Sequence, residues 1–402
     1  MKKLTAFFLA LAMLFAMVAC GGNTANDTKN NAQNSASADS AQDTTPETRT
    51  VTDVWNREVE IPYEVKSIAC VGSMAPRFAA YLDVVDMMVG SEDIDQGDVT
   101  ILYDYHSAYY DKLHALPSVG AGGGSGQNNA YAEQLITLMP DVILAGFSAE
   151  AADELQPQTG IPVVSVRYRI NGFIDQGFYD VLRLFADVVG AQERCEEVLA
   201  FIDACKADLN ERTKDIPEEN KLRAYTGAVT FNGRHGFNHT YVNFPPFDAV
   251  NALNVADELL EKQIGDAQND AASTGTAFVG NSGFEVDGEQ IITWDPDIIF
   301  LDPGSMDLVS DEYAANPGFF DSLRAVEAGQ VYTMPSSNYA GANIAYLIMN
   351  AYYAGTVLYP EAFADVDMAV KGGEILEAMV GMNSYDAMQN GGLYYGTITI
   401  GG

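Results

Sequence analysis

Basic residues are scarce in this chain: Lys and Arg number 21 against 56 Asp and Glu, a formal net charge of -35 at pH 7. A nucleic-acid partner is thereby excluded, because neutralising phosphates needs clustered Lys and Arg. Cysteine is nearly missing too, with four in 402 residues. Cys195 and Cys205 fall in one helical stretch, which separates them by about 15 Å along its axis and forbids a disulfide between them. With Cys70 in a buried-looking strand, the three body cysteines read as small apolar core residues. After the first twenty residues no apolar run is long enough to cross a bilayer.

Those first residues have the plan of a secretory leader. Lys2 and Lys3 form a basic start, Leu4 to Met17 an apolar segment, and Met17-Val18-Ala19-Cys20 a small-residue cleavage site ending in Cys. The ending resembles a bacterial lipobox, with Met17 where Leu is usual. It implies cleavage before Cys20, lipid on Cys20, and a body tethered to the outer face of the cell membrane. Residues 21–50 are rich in Asn, Thr, Ser, Ala and Asp with almost nothing to bury, and are expected to be a disordered tether.

The body is organised around a phrase that occurs twice. Glu133–Leu144 reads EQLITLMPDVIL and Glu289–Phe300 reads EQIITWDPDIIF, matching at Glu, Gln, Ile, Thr, Pro, Asp and Ile. Each copy predicts a short amphipathic helix stopped at Pro-Asp and followed by a strand. Strands without polar alternation are those buried on both faces of a parallel sheet. The fold expected is therefore α/β: two Rossmann-like lobes with central, mostly parallel sheets.

Reading outward from the phrase, a hairpin is predicted near residues 51–62, with strands at 67–71, 87–89, 142–145 and 163–166. A loop of Tyr, His and Gly precedes the first copy. The second half predicts strands at 223–229, 298–301 and 330–334, and helices near 250–260 and 343–358. Between the halves, Asp180–Val189 carries a helical apolar stripe ending at Gly190, and Gln192–Thr213 carries a longer one. The second helix is about 33 Å long, enough to bridge two domains. The organisation expected is an N-terminal lobe over 51–178, an interdomain helical segment over 179–214 and a C-terminal lobe over 215–402.

A lipoprotein leader, a polar tether, two α/β lobes joined by a long helix, and the phrase in each lobe resemble the substrate-binding proteins of ABC importers. The nearest likeness is to the class that carries ferric siderophores, haem or cobalamin. The resemblance covers essentially everything after Val51. It implies a ligand in the cleft between the lobes, a rigid connecting helix, and an ABC permease with its ATPase as partner, met by one glutamate on each lobe. By position in the phrase these are Glu133 and Glu289. It implies no enzyme activity and no cofactor, and a monomer is expected.

In open parallel sheets ligands bind beyond the carboxyl ends of the strands. Those ends carry four arginines, Arg77, Arg167, Arg169 and Arg234, in a chain poor in basic residues. Guanidinium groups fork onto oxyanions, so an anionic ligand is expected. Tyr168, Tyr241 and Tyr339, with His235 and His239, are expected to stack on it or donate hydrogen bonds. No metal site is assigned: Gly233, Gly236 and Asn238 argue for irregular backbone around the histidines, and no Cys or carboxylate cluster accompanies them. Three other signals fail. GAGGGSG at Gly120–Gly126 lacks the Lys-Ser/Thr of a phosphate loop, the acids at Asp93, Asp95 and Asp98 lack the Gly and Glu of a calcium loop, and Ser73 and Ser148 have no triad spacing. The leading expectation is a ferric siderophore. Cobalamin or haem, a free oxyanion such as molybdate, and a lipid-anchored enzyme remain as alternatives, in that order.

Overall fold

The computed structural model describes residues 47–401, apart from 124–125, 232 and 264–282. The leader, Cys20 and most of the tether lie outside the described residues.

Each lobe is built on a parallel sheet of the same order. In the first, β3 (Ile68–Val71), β4 (Val142–Ala145) and β5 (Val163–Ser165) run parallel. Met88 bridges to Ile68 on the other side of β3. In the second lobe the order is β12 (Gly396–Thr397), β11 (Val331–Thr333), β10 (Ile298–Leu301), β6 (Arg223–Gly227) and β8 (Leu253–Asn254), with only β12 antiparallel. Numbered along the chain, the parallel strands of the second lobe lie in the order 2-1-3-4, and the first lobe follows the same order with the single Met88 bridge in the place of its second strand. All four residues of β3, of β4 and of β10 are buried. Alternate side chains serve different cores: Ile68, Cys70, Val142 and Leu144 enter the main cluster, Ala69, Val71, Ile143 and Ala145 a separate one on the other face.

The repeated phrase locks the first and third strands together in the same way in both lobes. Its helices are Ala132–Leu138 and Gly288–Trp294, and each ends on a left-handed residue, Met139 or Asp295. The aspartate of Pro-Asp then turns back. Asp141 Oδ2 accepts the N–H groups of Lys66 and Ser67, at 2.8 and 2.9 Å. Asp297 Oδ2 accepts that of Arg223 at 2.9 Å. These donors lie at the starts of β3 and β6, which would otherwise carry unpaired amides. The proline stops the helix, and the aspartate sets the register of the strand pair.

The helix Gln192–Thr213 joins the lobes. Towards the first lobe, Arg194 Nε donates to Tyr81 O at 3.1 Å and Lys206 to Ile174 O at 2.9 Å. Towards the second, Arg212 forks onto Asp365 at 2.6 and 2.9 Å and Tyr352 donates to Asp208 at 2.8 Å. Cys195 and Cys205 are buried thiols on its inner stripe, unbonded to each other, as their spacing requires. Among the described residues no helix is long and apolar enough to cross a membrane.

The N-terminal hairpin, β1 (Thr48–Thr52) with β2 (Glu58–Pro62), covers the free side of β5. Asp53 Oδ2 accepts from Ser165 N at 3.1 Å and Arg57 donates to Val163 O at 3.2 Å, so the edge is not left open. The sequence reading differs from the fold in three places. The strand expected at 87–89 is a 3-10 turn, Val85–Met87, followed by a single bridge at Met88. His106–Ala115, within the expected loop, is a helix. Its buried residues are only His106 and Leu113, too few for a visible stripe, and it is held by His106 Nε2 against Asp95 O at 3.0 Å. Near 250–260 the chain instead forms β8 and a 3-10 turn, Val255–Leu259.

Candidate functional site

In both lobes the strand order reverses between the first and third strands, which places the ligand crevice beyond the ends of β3 and β4 in one and of β6 and β10 in the other. A small concavity of about 20 Å³ opens there on the second lobe, walled by Thr230, Tyr241, Asp302, Ser336 and Asn338, with Ile170 of the first lobe also lining it. Asp302 is its buried acid: Oδ2 accepts from Thr230 Oγ1 at 2.5 Å and Oδ1 from Gly304 N at 2.9 Å. Burial pushes this carboxyl up to about 6, against those hydrogen bonds and the nearby charge of Arg234. Tyr241 donates to Thr230 O at 3.0 Å and stacks on Phe244.

The arginines divide into two kinds. Arg77 is buried in the seam between the lobes: Nε donates to Asp104 at 2.8 Å and Nη2 to Asn343 Oδ1 at 2.7 Å. Its side chain is 1% exposed. Burial works against its charge, but Asp104 with Tyr81 and Tyr105 outweighs that and raises its pKa above the ordinary value. Arg77 therefore holds the seam rather than facing the cleft. Arg167, Arg169 and Arg234 sit at strand ends. Arg167 is half-buried, donates to Gly146 O at 3.2 Å just past β4, and lies against the backbone of Gly126, where a Cβ would meet its guanidinium at 1.2 Å. Burial first, and then the like charge of Arg169, lower its pKa. Arg234 is exposed and donates to Gly304 O at 3.0 Å, past β10, and to Asp307 at 2.7 Å. Each lobe thus fastens an arginine to a carbonyl beyond the strand that follows the repeated phrase.

The aromatic residues also separate. Tyr168 is buried, with its hydroxyl donating to Asp175 at 3.1 Å and its ring against Phe178. His235 and His239 stack on each other at 4.3 Å, and His235 stacks on Phe231 at 4.4 Å. Burial, then His235, keeps the His239 pKa below its usual value, with Glu285 opposing. These parallel rings make a flat face rather than a convergent pair, and among the described residues no group of three His, Cys, Asp or Glu could hold a metal ion. Tyr339, 36% exposed, comes from the second lobe and meets Tyr103 of the first, centroids 5.4 Å apart.

Sequence reasoning did not single out Asp302, Thr230, Tyr103 or Trp55. Trp55 lies in the hairpin, yet its indole donates to Phe147 O at 2.9 Å beside the end of β4. Asp302 had a signal, as the residue immediately after a strand. Thr230 had the same signal, directly after the strand expected at 223–229, whereas Tyr103 and Trp55 are brought to their places by tertiary packing. Glu133 and Glu289 are exposed on the repeat helices, and neither has an ion-pair partner among the described residues.

Two matching α/β lobes on one bridging helix, with a cleft at their strand ends, define a two-lobed α/β fold. Residues 79–230 match the model of the periplasmic binding protein family. Among solved structures, a periplasmic solute-binding protein from Veillonella parvula superposes with a TM-score of 0.60 at 19% identity, covering 86% of this chain and 97% of its own. The TroA-like periplasmic binding protein FepB of the same organism gives 0.60 at 18%, covering 87% and 99%. MolA of Haemophilus influenzae, solved with molybdate, gives 0.59 at 19%, covering 83% and 98%. No curated protein sequence matches. The family match over residues 79–230 and these superpositions show that the chain has the fold of periplasmic solute-binding proteins.

Proposed function

We propose that the protein captures an anionic iron chelate, a ferric siderophore, in the cleft and delivers it to the permease. The observation that carries this reading is the placing of Arg167 beside Arg169 at the strand ends of one lobe, with Arg234 at those of the other. Arg167 is half-buried with Arg169 near enough to act on its charge, and guanidinium groups suit carboxylate, catecholate or hydroxamate oxygens. The flat stack of Phe231, His235 and His239, with Tyr241 and Tyr339, supplies ring faces for the chelate's apolar parts.

Titrating the chain from residue 51 by intrinsic fluorescence against ferric siderophores, haemin, cyanocobalamin and molybdate tests this. Binding is expected for the siderophores, and Arg167→Ala with Arg234→Ala is expected to weaken it by more than about a hundredfold, at roughly 1.5–3 kcal/mol for each charged hydrogen bond. Response to cyanocobalamin or molybdate alone overturns the ligand class.

Delivery is through Glu133 and Glu289, one on each lobe, meeting basic residues of the permease. Attachment is through lipid on Cys20. The Cys20→Ala chain is expected to leave the membrane fraction for the soluble one, and a chain still sedimenting with membranes would refute the anchor.

A further inference from the structure

The two repeat helices show more to solvent than their glutamates. Ile136 and Ile292, three residues after Glu133 and Glu289, are 46% and 43% exposed. Thr137 and Thr293 follow, each donating its hydroxyl to the carbonyl of its own glutamate, at 2.9 and 2.8 Å. Residues three and four apart share a helix face. Each lobe therefore presents the same surface: an acid, an isoleucine and a threonine with its hydroxyl turned inward. The other side of each helix is well buried, by Leu135 in one and by Ile291 and Trp294 in the other. Single exposed apolar residues need no explanation. Here the same residue stands outward at the same place in two lobes whose sequences otherwise differ.

We propose that Ile136 and Ile292 are the apolar anchors of docking onto the importer's membrane-spanning subunits. Each inserts beside a glutamate into a surface that is basic at its edge and apolar at its centre. This rests on the docking reading above and adds to it the residues that drop into the partner. Charge complementarity selects the occupant, since an exposed acid at the edge of each patch calls for a cation beside an apolar hollow. Two copies of one face call for two copies of one receiving surface.

The faces are unequal around the shared residues. Tyr131 and Met139, 42% and 73% exposed, bracket the first helix. Their counterparts in the second phrase are Asp287 and Asp295, with Asp295 paired to Arg324 at 3.1 Å. The first lobe therefore carries the larger apolar contact and Ile136 the larger share of the effect.

The test uses the full-length chain in its own cells, with a photo-crosslinking residue at position 137 or 293. Both positions are expected to yield adducts that mass spectrometry identifies as a transmembrane subunit of an ABC importer. Ile136→Ser with Ile292→Ser is expected to cut both yields about tenfold while leaving Tm and ligand affinity unchanged, Ile136→Ser accounting for most of it. Val370→Ser, at another exposed apolar position, leaves them unchanged. Full yield in the double isoleucine variant, with loss in Glu133→Arg and Glu289→Arg, overturns the anchors and keeps the docking reading. No importer adduct from either position, or adducts only with a second copy of this chain, overturns both.

Discussion

Replacing Asp104 with Ala is expected to cost about 3–5 kcal/mol of folding stability, the range for breaking a buried ion pair from one side. Asp104 is fully buried where the lobes meet. Oδ1 takes the Arg77 Nε–H at 2.8 Å, and Oδ2 takes the Tyr81 hydroxyl and the Ala345 N–H, the last at 3.2 Å. Ala345 lies in the first turn of the second lobe's helix Ile344–Leu358, where a carboxylate also meets the helix dipole. Asn343 completes the junction: its Oδ1 accepts from Arg77 and from Asp104 N, and its Nδ2 donates to Leu102 O. Removing the carboxylate leaves a guanidinium uncompensated and an unpaired amide.

The discriminating variant is Asp104→Ala combined with Arg77→Met. It removes both charges and is expected to be more stable than Asp104→Ala alone, since most of the single-variant cost is the stranded cation. Urea unfolding of the two single variants and the double variant measures the coupling, and simple additivity would show that the pair is not a unit. Scattering adds a second reading. With the seam and the bridging helix intact, adding ligand is expected to change the radius of gyration little, whereas Asp104→Ala frees the lobes to move.

Much of this fold was legible because its organising signals are local. Pro-Asp after an amphipathic turn marks where helices stop, and β4, β10 and Gln192–Thr213 lie at the residues their patterns indicate. The repeated phrase indicated two like lobes, and the shared strand order realises that likeness. His106–Ala115 was hidden because one histidine and one leucine do the packing, so no periodicity marks it. The site was legible in outline only. Listing residues at strand ends named Arg167 and Arg234, which lie at those ends in the fold, but the same rule admitted Arg77. Within the first turn of its helix, Arg77 turns inward to a carboxylate 27 residues further along the chain. Sequence position shows which loop a cation is on; only packing shows which way it faces.

Raising the pH from 5 to 8 is expected to lower stability by on the order of 3 kcal/mol through Glu92 alone. Glu92 is 1% exposed, and its Oε1 accepts the Gly72 N–H at 2.7 Å, immediately past β3. Burial pushes the carboxyl up from 4.5 to about 8. The Gly72 N–H opposes this, and the neighbouring Asp95 and Asp93 add to it. The folded chain thus keeps a proton that the unfolded chain has given up. The stabilisation is complete below the unfolded value, declines as pH rises towards the folded value, and is gone above about 8. Most buried carboxylates, being paired, work in the opposite direction. Glu92→Gln keeps an acceptor for Gly72 but does not titrate, so its urea midpoint is expected to fall less steeply across this range than the parent's, with Asp302 and Asp248 still titrating in both. Equal slopes in the two proteins would show that Glu92 is already ionised in the fold. Because Gly72, at φ 76, begins the loop that leaves β3 for the cleft, loss of the Glu92 proton also acts at the floor of the ligand site. Affinity is then expected to weaken above pH 8 in the parent and not in Glu92→Gln.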